Sequence, residues 1–155
     1  MSYLIGLFVV AIAVVSWLTW VAIRPKVYAR FVERAAAEFG RHREALESKF
    51  FQIASQSGKP RGLAWKQCAF GNGLVLGRDR ANGELVALVP VTIGFEAIEG
   101  GGMEEVEAVG NLRAATAVFT HSGREWTTQG RAVFNLEPTE VMEKFRESLE
   151  PVANG

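Results

Sequence analysis

Residues 3–23 read YLIGLFVVAIAVVSWLTWVAI, 21 positions without a charged side chain. At 1.5 Å of rise per residue a helix of this length crosses a hydrocarbon core of about 30 Å. In lipid the backbone must satisfy its own hydrogen bonds, so a helix is the only single-segment solution. Ser16 and Thr19 are compatible with it, because their hydroxyls bond back to carbonyls one turn earlier. Tyr3 near one end and Trp17 and Trp20 near the other sit where interfacial aromatics belong. Arg24-Pro25-Lys26 is expected to stop the segment.

A cleaved signal peptide is the competing reading. Such a peptide has a basic start, an apolar stretch of about 7–15 residues and a small-x-small cleavage site. Here Met1-Ser2 carries no basic side chain, the apolar run is longer, and Trp and Ile stand where small residues are needed. An uncleaved anchor fits better. Arg24, Lys26, Arg30 and Arg34 follow the span and no Lys or Arg precedes it. The positive-inside rule therefore puts the N-terminus outside and the rest of the chain in the cytoplasm, at a plasma or inner membrane.

Net charge is zero over the 155 residues, but it is unevenly distributed. From Arg24 to Arg61 nine Lys/Arg face four Glu, and from Gly62 onward eight Lys/Arg face thirteen Asp/Glu. A basic membrane-proximal segment thus precedes an acidic distal domain. Nearby cations interact with anionic head groups at about 1 kcal/mol each. No dense basic stripe interleaved with stacking aromatics points to nucleic acid. The single cysteine, Cys68, excludes an internal disulfide and any multi-Cys zinc site.

Val27 to about Gln56 reads as a long helix, with Tyr28, Val32, Ala35, Phe39, His42, Leu46, Phe50 and Ile53 at spacings of three and four. It would extend about 45 Å. As a coiled coil it would align Val32, Phe39, Leu46 and Ile53 at one core position. The other would hold Tyr28, Ala35, His42 and Lys49, a poor seam for a homo-oligomer through residues 27–56. Packing against a following sheet is the alternative.

From Gly62 the period changes to two. Leu63–Phe70, Leu74–Asp79, Glu84–Ile98, Leu112–His121 and Glu125–Leu136 read as strands, separated by Gly71-Asn72-Gly73, Arg80-Ala81-Asn82-Gly83 and Ser122-Gly123. Pro90 suggests an edge position or a bulge in the third of them. A short helix is expected from Thr139, its cap, to about Leu149, followed by a frayed tail. The organisation is an anchor at 1–25, an amphipathic spacer at 26–58, an α+β domain at 59–150 with about five antiparallel strands, and a tail at 151–155.

Chemistry-bearing patterns are few. Glu99, Glu104, Glu105 and Glu107 surround three consecutive glycines, an arrangement suited to a basic partner surface. It lacks the alternating ligands of a calcium loop. Cys68 and His121 are the only nucleophile–base pair on offer, without a flanking signature. His42, on the apolar stripe, reads as a packed core residue. Lys59-Pro60-Arg61 lacks the glycine spacing of a phosphate loop. Trp65, Ile93, Phe95 and Trp126 face inward, either as core or as lining of an apolar pocket in a curved sheet. No cofactor or metal is implied. The expectation is a single-pass accessory or assembly subunit, more plausibly non-enzymatic, with a protein partner. The alternative is a tethered domain that binds or converts a small apolar molecule.

Overall fold

The computed structural model describes residues 2–57 and 62–152. It is α+β: a long apolar N-terminal helix, an antiparallel sheet of seven short strands and a short C-terminal helix. The turn at 58–61 and the last three residues of the expected tail lie outside the described residues. The chain divides between Glu38 and Phe39 into two units.

Helix α1 (Ser2–Ser57) begins in the first unit and runs without a break through Pro25. Arg24-Pro25-Lys26 ends the charge-free run but not the helix, although proline lacks an N–H and crowds the carbonyl four residues back. Only one helical bond is lost at such a site, and strong helix formers flank it on both sides. Thr19 Oγ1 donates to Val15 O and to Ser16 O, both at 2.9 Å. The most apolar 18-residue window of α1 has a mean hydropathy of 2.3 and no buried residue, so the helix is long and apolar enough to cross a membrane.

The second unit contains the sheet and the last turns of α1. Strands β1 (Leu63–Phe70), β2 (Val75–Asp79), β3 (Leu85–Ala97), β4 (Arg113–His121), β5 (Trp126–Thr127), β6 (Ala132–Phe134) and β7 (Leu149–Pro151) all pair antiparallel. β3 is the central strand. β4 pairs along one edge of it from Leu85 to Ile93. The other edge is shared end to end, β2 taking residues 85–88 and β1 residues 91–97.

Strands β1 and β2 are therefore not a hairpin, and Gly71-Asn72-Gly73 offsets the chain rather than reversing it. The cause is Pro90, which sits on the central strand and not at an edge. Gly71 N–H donates to Pro90 O at 2.8 Å, so Gly71 and Pro90 form a bonding pair of the ladder. Such a pair exchanges two hydrogen bonds, and proline supplies only the acceptor. The donor that Gly71 O lacks comes from Arg43 of α1, whose Nη2 bonds Gly71 O. Arg43 Nη1 also reaches Asn72 O at 3.3 Å, and its Nε is held by Glu47 Oε1 at 2.7 Å. Both glycines lie against the proline ring: a Cβ on Gly71 would come within 3.0 Å of it and one on Gly73 within 3.3 Å.

Leu85, Ala87, Val89, Val91, Ile93 and Phe95 form one face of β3, all buried. On this face Phe39 packs edge-on to Phe119 and Trp126, with centroids 5.2 and 5.1 Å apart. Phe50 contacts Trp65, Phe70 and Phe119. The sheet curls enough that Trp65 of β1 and Phe134 of β6, from strands on opposite edges of the β3–β4 pair, have ring centroids 6.4 Å apart. Within this unit the buried helical positions are Phe39, Leu46, Phe50 and Ala54, whereas His42 is exposed. The apolar stripe passes through position 43 instead, where the half-buried Arg43 makes the sheet contact described above.

The expected strand 125–136 is broken into β5 and β6. Thr128 Oγ1 donates to Val118 O at 3.0 Å, and Gly130 turns with φ 69° against the Ala54 backbone. A side chain thus takes over a bond of the ladder while the backbone swings toward α1. The second face of β3 carries Val86 and Leu88, which cluster with Val141 and Met142 of helix α2 (Pro138–Lys144). This helix is capped at Glu137 rather than Thr139, with the Glu137 N–H on Glu140 Oε2 at 2.7 Å. It ends five residues earlier than expected, and β7 pairs with β2, so Pro151 and Val152 are tied down rather than frayed.

Phe50→Ala should lower the unfolding free energy by about 3–5 kcal/mol, as loss of a fully buried ring does. Gln52→Ala, at an exposed position of the same helix, should change it by less than about 0.5 kcal/mol. Urea titrations of the two variants, followed by far-ultraviolet circular dichroism, measure both.

Candidate functional site

Among the described residues β1 is the longest strand with an unpaired edge, since it pairs there only with β3. The Gly71–Pro90 bonding pair sets the alternation. Ala69 and Gln67 direct their backbone groups to β3, and Phe70 and Cys68 direct theirs away from it. This free edge opens on a groove of about 530 Å³, with Glu44, Glu47, Ser48 and Phe51 of α1 as one wall and Lys66, Gln67, Cys68 and Phe70 as the other. A bulge at Lys66, between the pairs Trp65–Phe95 and Gln67–Gly94, ends the regular edge on its N-terminal side. What remains is a short length of strand, Gln67 to Phe70, with unpaired backbone donors and acceptors beside a partly apolar helix wall.

Cys68 is half-buried in this groove, and burial pushes its thiol up from 9.0 to about 11. At neutral pH it is a protonated, weakly nucleophilic group. His121 does not assist it. On β3 the partner of Cys68 is Ile93 and that of His121 is Leu85. Eight residues of strand separate those positions, roughly 27 Å. His121 is also buried and not solvated as its place beside a turn suggests: its Nδ1 accepts from the Gly123 N–H at 3.0 Å and its ring packs edge-on to Trp126.

The acidic loop is exposed at Glu99, Glu104, Glu105 and Glu107. Its glycines meet specific backbone demands: Gly100 and Gly102 have φ of 75°, and Gly101 lies against Gly62, where a Cβ would come within 2.7 Å of the Gly62 Cα. Glu104 is turned back on its own loop, its Oε1 accepting from the Gly100 N–H. Its own backbone amide, then those of Gly100, Gly102 and Met103, holds its carboxyl below the usual glutamate value. Glu99, Glu105 and Glu107 are left as the outward charges of the loop.

Trp65, Ile93, Phe95 and Trp126 lie in the buried face of the sheet, and none lines the groove. Trp65 and Phe95 are brought together, with centroids 5.4 Å apart, while Trp126 packs against Phe39. Arg24, Lys26, Arg30 and Arg34 are exposed on α1, with the Arg24 guanidinium 3.5 Å above the Trp20 ring. Among the described residues no group of three or more His, Cys, Asp or Glu is placed to hold a metal ion. Sequence reading missed Arg43 and the β1 edge. Pro90 was the available signal, because a proline inside a clean alternation requires a substitute donor nearby.

No family model, curated protein or solved structure matches the chain.

A carboxyl whose folded pKa is depressed stabilises its surroundings above the ordinary carboxylate range, and that contribution is lost as pH falls through the lowered value. The Gly100 amide should therefore be protected from hydrogen exchange at neutral pH and lose protection on acidification. In Glu104→Gln the pH dependence should disappear, as exchange measured by NMR across the acid range would reveal.

Proposed function

We propose that the chain is a single-pass, membrane-anchored accessory or assembly subunit whose small α+β domain binds a protein partner by accepting an extended segment on the free edge of β1. The observation that carries this reading is the pairing of β1 on one edge only, beside a groove walled by α1. Strand addition draws affinity from main-chain hydrogen bonds and selectivity from the pockets that receive alternate side chains. Here the donors and acceptors are those of Cys68 and Phe70, and the receiving wall combines Phe51 and Phe70 with the carboxylate of Glu44. A partner segment carrying an apolar residue and a nearby cation fits that wall.

Anchoring rests on the charge-free stretch of α1 over residues 3–23, whose described large apolar side chains are exposed. The Trp20–Arg24 contact belongs at a headgroup interface, where an amphipathic ring and a cation are both satisfied. The basic residues Arg24, Lys26, Arg30 and Arg34 support a cytoplasmic domain with the N-terminus outside. Glu99, Glu105 and Glu107 provide a second acidic contact on the same domain, and they steer a basic partner more than they hold it.

Cys68→Pro tests the edge directly. It removes an outward N–H without removing a bond to β3, and proline is tolerated on edge strands. Tagged full-length chain, extracted in mild detergent, is expected to bring down a stoichiometric membrane partner. Cys68→Ser should retain that partner and Cys68→Pro should lose it, with the circular dichroism of both unchanged. Recovery of the chain alone, or a partner retained by Cys68→Pro, would contradict the assignment.

A further inference from the structure

The second face of the sheet, turned away from α1, is incompletely filled. Val86 and Leu88 are buried beneath α2, yet Val118, Val133, Phe145 and Leu149 around them are only half-buried. Between these side chains lies a cavity of about 310 Å³, at the lower end of the range for small-molecule sites. Its floor is Val86, Leu88 and Val118, and Val141, Phe145 and Leu149 form one wall. Two charged residues reach its rim, Arg131 and Asp79.

Those two are far apart. Val118 N–H donates to Arg131 O at 3.0 Å, which places Arg131 opposite Val118 beyond β4. Asp79 ends β2, on the other side of β3. Three strand spacings, roughly 14 Å, and four residues along the strands, roughly 13 Å, separate their backbones. One oxygen of Asp79 is engaged by the Ala81 N–H at 2.7 Å. The cavity is thus aliphatic, with a cation at one end and a carboxylate at the other. Thr120 adds a hydroxyl donor to the rim.

We propose that this cavity binds a monocarboxylate with an unbranched alkyl chain of medium length. The carboxylate would lie on Arg131, whose fork of donors matches it in geometry and charge. The tail would run over Leu88 and Val118 toward Val141 and Phe145. At about 30 Å³ per heavy atom the space takes about ten heavy atoms, a carboxylate of roughly eight carbons in all. An aliphatic floor with a single aromatic ring favours an alkyl over a planar ligand. Asp79 repels a second anionic group at the far end, which disfavours α,ω-dicarboxylates. The site is independent of the β1 groove, which opens beside α1.

Full-length chain in nanodiscs, titrated calorimetrically with sodium octanoate against empty nanodiscs, tests the assignment. Saturable binding at one ligand per chain is expected. Octanol, with the same chain length and no charge, should bind about tenfold more weakly, and Arg131→Gln should weaken octanoate by a similar factor. Val133→Phe fills the cavity from its wall and should abolish binding while the circular dichroism stays unchanged. Heats equal to those of empty nanodiscs, equal affinities for octanoate and octanol, or undiminished binding by Arg131→Gln would each overturn it.

Discussion

Pro90 removes a backbone donor from the middle of the central strand, and much of the distal unit is arranged around that loss. Its bonding partner, Gly71, keeps the N–H bond to Pro90 O, but its own carbonyl has no ladder donor to accept from. Arg43 fills the vacancy from α1, with Glu47 fixing the guanidinium. An unsatisfied carbonyl at a half-buried position is unfavourable by about 1–3 kcal/mol. The helix is therefore joined to the sheet by a polar requirement as well as by its aromatic contacts. Hydrophobic packing of Phe39 and Phe50 is tolerant of small shifts, whereas the Arg43 bond fixes the phase of the helix against the strand break.

That break also creates the features with functional meaning. With Pro90 between them, β1 and β2 take separate stretches of one edge of β3, and neither covers the other. β1 keeps a free edge next to the helix, and β2 is left to recruit β7 from the C-terminal segment. On the face away from α1, the seven residues of α2 cover Val86 and leave Val118 and Val133 half-covered. The edge of β1 and the cavity beneath α2 thus have separate locations and separate chemistries.

Much of this was legible in the sequence. The boundaries of β1 are those read from Leu63–Phe70, because a period of two on a half-buried face is a strong local signal. Asn82-Gly83 marks the β2–β3 hairpin, with Gly83 at φ 74°. Which strand pairs with which was not legible. Gly71-Asn72-Gly73 has the composition of a reversing turn, and only the distant Pro90 decides that it is an offset. The helical stripe passes from the expected His42 to Arg43, because the long cation one residue on faces the sheet and bonds Gly71 O. In the same way the hydroxyl of Thr128 substitutes for a backbone group, so the single strand expected over 125–136 became two. At Arg43 and Thr128 the miss is a non-local bond made by a side chain in place of a main-chain partner, which periodicity does not register.

A double-mutant cycle between Arg43→Ala and Pro90→Ala addresses the central claim most directly, with stability measured by urea titration of the full-length chain in detergent. Alanine at position 90 restores the missing N–H, so Gly71 O gains a ladder donor. Arg43→Ala should then be less destabilising in the Pro90→Ala background than in the native one, with a coupling of at least about 1 kcal/mol. A coupling below about 0.5 kcal/mol would mean that Arg43 does not substitute for the donor that Pro90 lacks.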